Sequence, residues 1–431
     1  MKNKTLQLSF LLAVLLLMMS CSKSEPIIDV QSVELNTTKL TLTEGESKTL
    51  TATLIPENAT NRNLSWSSSN KTYATVDQNG MVTAIKPGKV DIRVTSEDGN
   101  KRATCELTIE YDMPYQDKQY KKVMTATKGK QEVDIIFTGD GFTVEDIQNG
   151  DFDKAIDEAI DHFFDIEPYR TYKDYFSVYV IYAFSKDSGI SDENNDKNTA
   201  FSTKYDEPEP STLMSIDYDV CFEYASAIPH INFDTEPTIV VVTNSTRYAG
   251  TAWLWTNNAA IAIASRSKLH YPYDFRGIVQ HEASGHAFGK LADEYYENTT
   301  ISSSERQDII EMHQLMHYHN IDVTDDPETI LWKHFFNEPK YKYVSIIQGG
   351  NYHKYGVWRP EEMTLMLNNV PYINAPGREV IVKRIMRLAG ETYSFESFKA
   401  NDVKEQFTPT RFQFTFDESK RLPPPRIIKV K

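Results

Sequence analysis

The chain has 431 residues, 40% apolar and 12% aromatic, which is room for two or three domains with real cores and too apolar for wholesale disorder. Asp and Glu outnumber Lys and Arg by 61 to 46, and a net charge of −15 argues against a nucleic-acid partner, because the cationic surface that neutralises phosphates is missing. Three cysteines exclude a disulfide framework and a multi-cysteine zinc site.

Lys2 and Lys4 precede an apolar run from Leu8 to Met19. Twelve residues rise about 18 Å as a helix, too short for a hydrocarbon core of about 30 Å, so residues 1–20 read as a signal peptide. The run ends in Met18-Met19-Ser20-Cys21, which resembles the lipobox of bacterial lipoproteins. That resemblance implies cleavage before Cys21, a lipid on its sulfur and a tether to a membrane of the bacterial envelope. The alternative is a soluble secreted protein in which Cys21 is incidental. Residues 21–27 read as a linker.

Between residues 28 and 110 apolar residues alternate with polar ones, as in Val90, Ile92 and Val94 and in Cys105, Leu107 and Ile109. Turn signals such as Asn79-Gly80 and Pro87-Gly88 separate the runs, the pattern of a β-sandwich, with Trp66 expected as its central aromatic. Leu64-Ser65-Trp66, Ala74-Thr75-Val76-Asp77 and Gly80-Met81-Val82-Thr83-Ala84 resemble bacterial Ig-like group 2 domains. That resemblance implies a spacer or adhesive module, and the segment holds no His, Asp and Glu cluster able to do chemistry.

Residues 111–400 mix strand and helix patterns, so an α/β or α+β domain is expected, followed by a C-terminal extension over 401–431. Val133 to Phe137 reads as a buried strand ending at Gly139-Asp140-Gly141, and Thr143 as the cap of one helix running to about Phe164. Tyr175 to Phe184 and Thr238 to Thr243 read as further strands, and Ala259 to Ala264 as an edge strand beside a substrate cleft. Asp187 to Lys204 reads as a solvated loop, since Asp192-x-Asn194-x-Asp196 lacks the glycine and closing glutamate of a calcium loop. Pro423-Pro424-Pro425 suggests an extended cover strand in the tail.

The stretch from Gly277 to Tyr295 carries the chemistry: His281-Glu282-Ala283-Ser284-Gly285-His286, then Gly289, Asp293 and Glu294. Two imidazoles and an adjacent carboxylate on one helix are what hydrolytic zinc requires, with Glu282 as the general base. The histidines are five apart, however, and in a regular helix they diverge by roughly 140°. A π-bulge with i to i+5 bonding brings them together, and Gly285 eases that distortion. A regular helix pairing Glu282 with His286 is the other reading. Asp293 is the expected third ligand and Glu294 its substitute. His313, His317 and His319 lack a neighbouring base and read as a polar helix face.

The His281 to Tyr295 stretch resembles the zinc signature of the IgA Peptidase family. Asp134 to Thr143, Asp187 to Asp192, Trp358-Arg359-Pro360, Met366 and Asn374 to Glu379 resemble the same family. The resemblance implies a metzincin-like zinc endopeptidase acting on protein or glycoprotein substrates, immunoglobulin-like ones among them, with Gly289 turning the chain toward the third ligand and Met366 lying beneath the metal. The contrasting reading is an inactive surface binding or adhesion lipoprotein. The segments before 111 are nearly neutral, so the acidity resides in the presumed enzyme, which favours cationic substrates.

Overall fold

Alternation in the N-terminal part is realised as strands that each send one face inward. The computed structural model describes residues 26–405 and 420–430, so the expectations for residues 1–20 and for Cys21 lie outside the described residues. The chain divides into two compact units, Met1–Asp112 and Met113–Lys431. The first holds β1 (Ser32–Leu35), β2 (Lys39–Thr43), β3 (Ser47–Thr49), β4 (Ala52–Ile55), β5 (Leu64–Ser68), β6 (Ala74–Val76), β7 (Met81–Ala84), β8 (Gly88–Ser96) and β9 (Arg102–Glu110). They form sheets in the orders β2-β9-β8-β5, β3-β7-β6 and β1-β4. Val82, Ile92, Cys105 and Leu107 fill the centre. Trp66 is only half-buried, which corrects its expected central place. It packs across the junction of two clusters, under the turn at Gly80, where φ is +81° and a Cβ would lie 2.9 Å from its ring.

The second unit is built on a sheet whose described strands run in the order β10-β12-β11-β15-β17-β16-β21. These are β10 (Tyr120–Met124), β11 (Val133–Asp140), β12 (Phe176–Ile181), β15 (Thr238–Thr243), β16 (Gly250–Trp255), β17 (Ala260–Ser265) and β21 (Arg426–Ile428); a short pair, β13 (Lys204–Tyr205) and β14 (Met214–Ser215), stands apart. The central strands are parallel, and β16 is antiparallel to β17. Both faces are covered. Ile135, Phe137, Val240, Val242, Ala262 and Ala264 point one way, and Ile136, Ile239, Val241, Ile261 and Ile263 the other. This explains runs too apolar to alternate.

Segment 259–264 is therefore no edge strand. As β17 it is buried along its length between β15 and β16. The antiparallel strand β16 lies outside it, and β21 from the C-terminal segment covers β16 in turn.

The expected helix from Thr143 to Phe164 is two. Thr143 caps α1 (Val144–Gln148) with a reciprocal box to Asp146, and Gly150 at φ +81° breaks the chain before α2 (Asp151–Phe164). Next come α3 (Tyr218–Ala225), α4 (Phe275–Ile278), β18 (Tyr296–Thr300), α5 (Ser303–Gln314), β19 (Ile347–Gly350), β20 (Tyr352–Arg359), α6 (Leu365–Asn368), α7 (Ala375–Leu388) and α8 (Phe395–Asn401). The polar loop after β12 is organised by buried Asp140, whose carboxylate accepts from Thr199 Oγ1 at 2.8 Å and from the Thr203 amide at 3.0 Å. Asp192 accepts from the amides of Asn194 and Asn195, a local turn. Among the described residues no helix is long and apolar enough to cross a membrane, and Cys105 and Cys221 are free and buried.

Candidate metal centre

Asp274 caps α4 by accepting from the Gly277 amide at 3.0 Å, and the chain then continues as a π-helix over Val279–Phe288. Bonding from residue i to i+5 places residues five apart one above the other. The rings of His281 and His286 accordingly meet edge to face, with centroids 4.7 Å apart and planes at 79°. The distortion extends over ten residues, longer than a single bulge, and the regular helix with Glu282 paired to His286 is not adopted. Tyr169 Oη donates to the Ser284 carbonyl at 2.5 Å, and Gln280 Nε2 donates to the carbonyls of His162 and Asp165 at the end of α2. Tyr169 thus holds the helix backbone from outside, and Gln280 ties the helix to the end of α2.

Asp293 comes back against the two histidines. Its Oδ1 lies 3.2 Å from His281 Nε2 and 3.3 Å from His286 Nε2, and one ligand atom from each residue lies within 4.8 Å of the others. Bonds of about 2.0 Å in a tetrahedron give edges of about 3.3 Å, so these separations suit a zinc-sized ion. All three atoms are buried and lack a hydrogen-bond partner. Three orphaned polar atoms converging in a buried interior are costly unless an ion joins them. Two imidazole nitrogens and a carboxylate oxygen are a donor set that zinc accepts.

Supporting contacts orient the donors. His286 Nδ1 donates to the Leu291 carbonyl at 2.8 Å, which leaves Nε2 facing the centre, and Tyr352 Oη donates to Asp293 Oδ2 at 2.9 Å. Glu282 presents both carboxylate oxygens unpaired and is 0% exposed. A Cβ on Gly250, at the start of β16, would fall 2.7 Å from Glu282 Cγ, so glycine is required for that close approach.

Electrostatics separate the four groups. Burial pushes Glu282 up to about 8, against the pull of His286. Burial takes His281 down. For His286 burial works in the same sense, but the facing Asp293 outweighs it and the net shift is upward. Asp293 is buried as well, yet the two histidines hold it far below the usual carboxylate range.

Glu294 points elsewhere. Its carboxylate accepts from Asn320 Nδ2, Asn374 Nδ2 and Thr364 Oγ1 at 2.7, 2.5 and 2.6 Å, and so ties three loops together. Gly289 is not the turning residue, for its φ is −70°; the left-handed position is Lys290 at +54°. A Cβ on Gly289 would meet the carbonyls of Ser284 and Gly285 at 2.6 Å, so its glycine answers a steric need of the π winding. Met366 is buried against Gly285, where a Cβ would overlap its sulfur, and its carbonyl accepts from the Glu294 amide at 2.8 Å. The Gly285 requirement is thus set by Met366 as much as by the helix.

His313, His317 and His319 do not form a joint ligand set. His317 Nε2 pairs with Asn258 Oδ1 at 2.8 Å and His319 Nε2 with the His313 carbonyl at 3.1 Å. His317 and His319 also lie beyond the end of α5 and are largely buried, which corrects the polar helix face. The sequence reading assigned no role to Tyr248, Tyr295, Asn320 or Tyr352. Of these only Tyr295 carried a signal, as the residue directly after Asp293-Glu294.

Comparison with known proteins gives two family matches, the bacterial Ig-like domain (group 2) over residues 29–107 and IgA Peptidase M64 over residues 122–340, about half of the chain. An uncharacterized protein of Clostridium acetobutylicum is 42% identical over 80 residues, 17% of this chain and 8% of its own. The kappa-carrageenase of Pseudoalteromonas carrageenovora is 43% identical over 82 residues, 19% of this chain and 20% of its own. The chain therefore spans a fifth or less of the length of either relative. Domains 1–6 of the surface layer protein SbsC align at 17% identity with a TM-score of 0.18, covering 22% of this chain and 14% of that one.

Proposed function

The chain belongs to the IgA Peptidase M64 family, and from that premise we propose that this peptidase is a zinc endopeptidase acting on proteins or glycoproteins outside the cytoplasm. The observation that carries the zinc reading is the convergence of orphaned His281 Nε2, His286 Nε2 and Asp293 Oδ1 beside the unpaired carboxylate of Glu282. These three residues would hold the ion. Zinc, when bound, supplies a Lewis acid that polarises a carbonyl and lowers the pKa of water.

The chain's own groups account for the rest. Glu282 takes a proton from the attacking water and returns it to the amine nitrogen that leaves. Its burial keeps bulk water from competing for that proton, and Gly250 lets the strand pass close enough to wall the carboxylate in. Tyr352 and the Leu291 carbonyl hold Asp293 and His286 in register.

In the same reading Cys21 carries the lipid that tethers the protein to the envelope, and the Ig-like module acts as a spacer. Metal analysis of purified protein tests the zinc step: one zinc per chain is expected, and its absence would favour a binding or adhesion lipoprotein. Glu282→Gln should then retain zinc and lose peptide hydrolysis by about 100-fold or more; undiminished cleavage would remove Glu282 as the base. A globomycin-sensitive shift in mobility, lost in Cys21→Ala, tests the tether.

A further inference from the structure

The four groups of the centre are at most 2% exposed, and a peptide bond cannot reach them as they stand. Part of what covers them is the chain itself. Segment 420–430 runs beside β16 in parallel, Trp253 level with Arg426 and Trp255 with Ile428. The ladder ends at Arg426 opposite Trp253, three residues along β16 from Gly250, the residue against which Glu282 packs. The contacts that precede the ladder are made through main-chain carbonyls. Tyr248 Oη donates to the Lys420 carbonyl at 2.9 Å and Tyr295 Oη to the Leu422 carbonyl at 2.5 Å. Leu422 is itself 3% exposed.

Tyr295 Oη also lies 2.6 Å from Tyr352 Oη, and Tyr352 Oη lies 2.9 Å from the ligand oxygen Asp293 Oδ2. The Leu422 carbonyl is therefore linked to the centre through two phenols. Two phenolic protons serve three contacts here, so one contact is always unfilled. If Leu422 leaves, Tyr295 can donate to Tyr352 and no buried donor is stranded. The grip on the segment is built to be exchangeable.

We propose that Tyr248 and Tyr295 are the positioning residues that hold a substrate's main chain by its carbonyl oxygens, and that segment 420–428 sits in that path as an intramolecular occupant. This deepens the peptidase reading above and rests on it. The occupant also defines a substrate class, an extended peptide with basic residues ahead of an aliphatic one. The Lys420 ammonium lies over the Tyr248 ring at 5.9 Å and the Arg421 guanidinium over the Tyr295 ring at 5.3 Å, while Leu422 takes the buried position. Pro423, Pro424 and Pro425 have no N–H to donate to β16, so the segment's main chain just before them is held by side-chain donors, the two phenols and Thr212 Oγ1, which donates to the Arg421 carbonyl at 3.3 Å. Its anchor is farther along, where Thr256 N donates to the Ile428 carbonyl at 3.1 Å and Arg426 pairs with Asp206 at 3.1 Å.

The test uses the full chain carrying Glu282→Gln, so that binding is read without turnover, and a fluorescent peptide with the sequence of residues 420–428. Adding Leu422→Asp, which expels the segment, should tighten peptide binding at least 10-fold. Adding Tyr295→Phe to that protein should weaken it about 10-fold, with Tyr248→Phe acting in the same direction. In the unsubstituted chain, the peptide should speed amide hydrogen exchange in residues 426–430. Equal affinity with and without Leu422→Asp, together with unchanged exchange, would overturn the occupant. Unchanged affinity in both tyrosine variants, with unaltered circular dichroism, would overturn the positioning role. Because no arm measures hydrolysis, a failed peptidase reading with intact peptide binding remains a separate result.

Discussion

Gly285→Ala tests how the π-helix and Met366 are joined. In an exposed helix alanine would gain about 1 kcal/mol over glycine. Here the new methyl would overlap Met366 Sδ and lie 3.1 Å from its Cε, and Met366 is 1% exposed. Overpacking of a buried site costs about 1–3 kcal/mol, so the single variant should be destabilised by roughly 0–2 kcal/mol. The decisive quantity is the double-mutant cycle. In a Met366→Ala background the obstacle is gone, and Gly285→Ala should be neutral or stabilising by about 1 kcal/mol, a coupling of about 1–3 kcal/mol between the two positions. Differential scanning calorimetry of the apo protein reads it, at roughly 2–4 °C per kcal/mol. The transition of the Ig-like unit should not move. If Gly285→Ala has the same effect in both backgrounds, the steric link between the helix and Met366 is wrong.

Tyr352→Phe removes the donor to Asp293 Oδ2 and should weaken zinc binding about 10- to 100-fold in a chelator competition; an unchanged constant would show that this contact does not support the ligand. Saturating zinc at about 1,000 times its dissociation constant should stabilise the catalytic unit by about 4 kcal/mol, and Asp293→Asn should lose most of that gain in a thermal melt. Arg378 pairs twice with Asp402, at 2.7 and 2.8 Å and with both side chains buried, so Arg378→Leu should cost about 3–5 kcal/mol in urea unfolding. Glu379 is buried, which alone would raise its pKa, but contacts with His334 and Lys383 outweigh this and hold it below 4.5. Its contribution is therefore present above about pH 4.5 and lost as the pH falls through the folded value, and Glu379→Gln should flatten that stretch of the stability curve.

Local signals were enough wherever the chain decides locally. The helix cap at Thr143, the buried strand from Val133 and the spacing of His281, Glu282 and His286 are patterns within a few residues, and each is recognisable without a partner. Five-residue spacing in particular points to π winding, because no regular helix puts two such imidazoles on one ion. The length of that winding was not legible, since its supports are tertiary: Tyr169 reaches the Ser284 carbonyl from the turn after α2, and Gln280 reaches a carbonyl at the end of α2.

Errors arose where distant segments compete for one position. An apolar run such as 259–264 looks the same at an edge or in the interior, and only the order of strands placed it inside, with β16 and β21 beyond it. Gly150 split one expected helix into two through a left-handed backbone that composition does not reveal. Asp293 and Glu294 are neighbours of similar chemistry, and their separation is a matter of which way each side chain leaves the turn: one toward the histidines, the other toward Asn320, Asn374 and Thr364.

By itself the sequence determined an acidic two-part chain, its Ig-like alternation and a histidine–glutamate motif with hydrolytic potential, because periodicity and spacing are properties of neighbours along the chain. The tertiary structure decided that Asp293 joins the two histidines, that Glu294 turns away, and that Tyr295 reaches the Leu422 carbonyl. Those contacts join residues separated by up to 127 positions, and their geometry exists only once burial has closed the strands and loops upon one another.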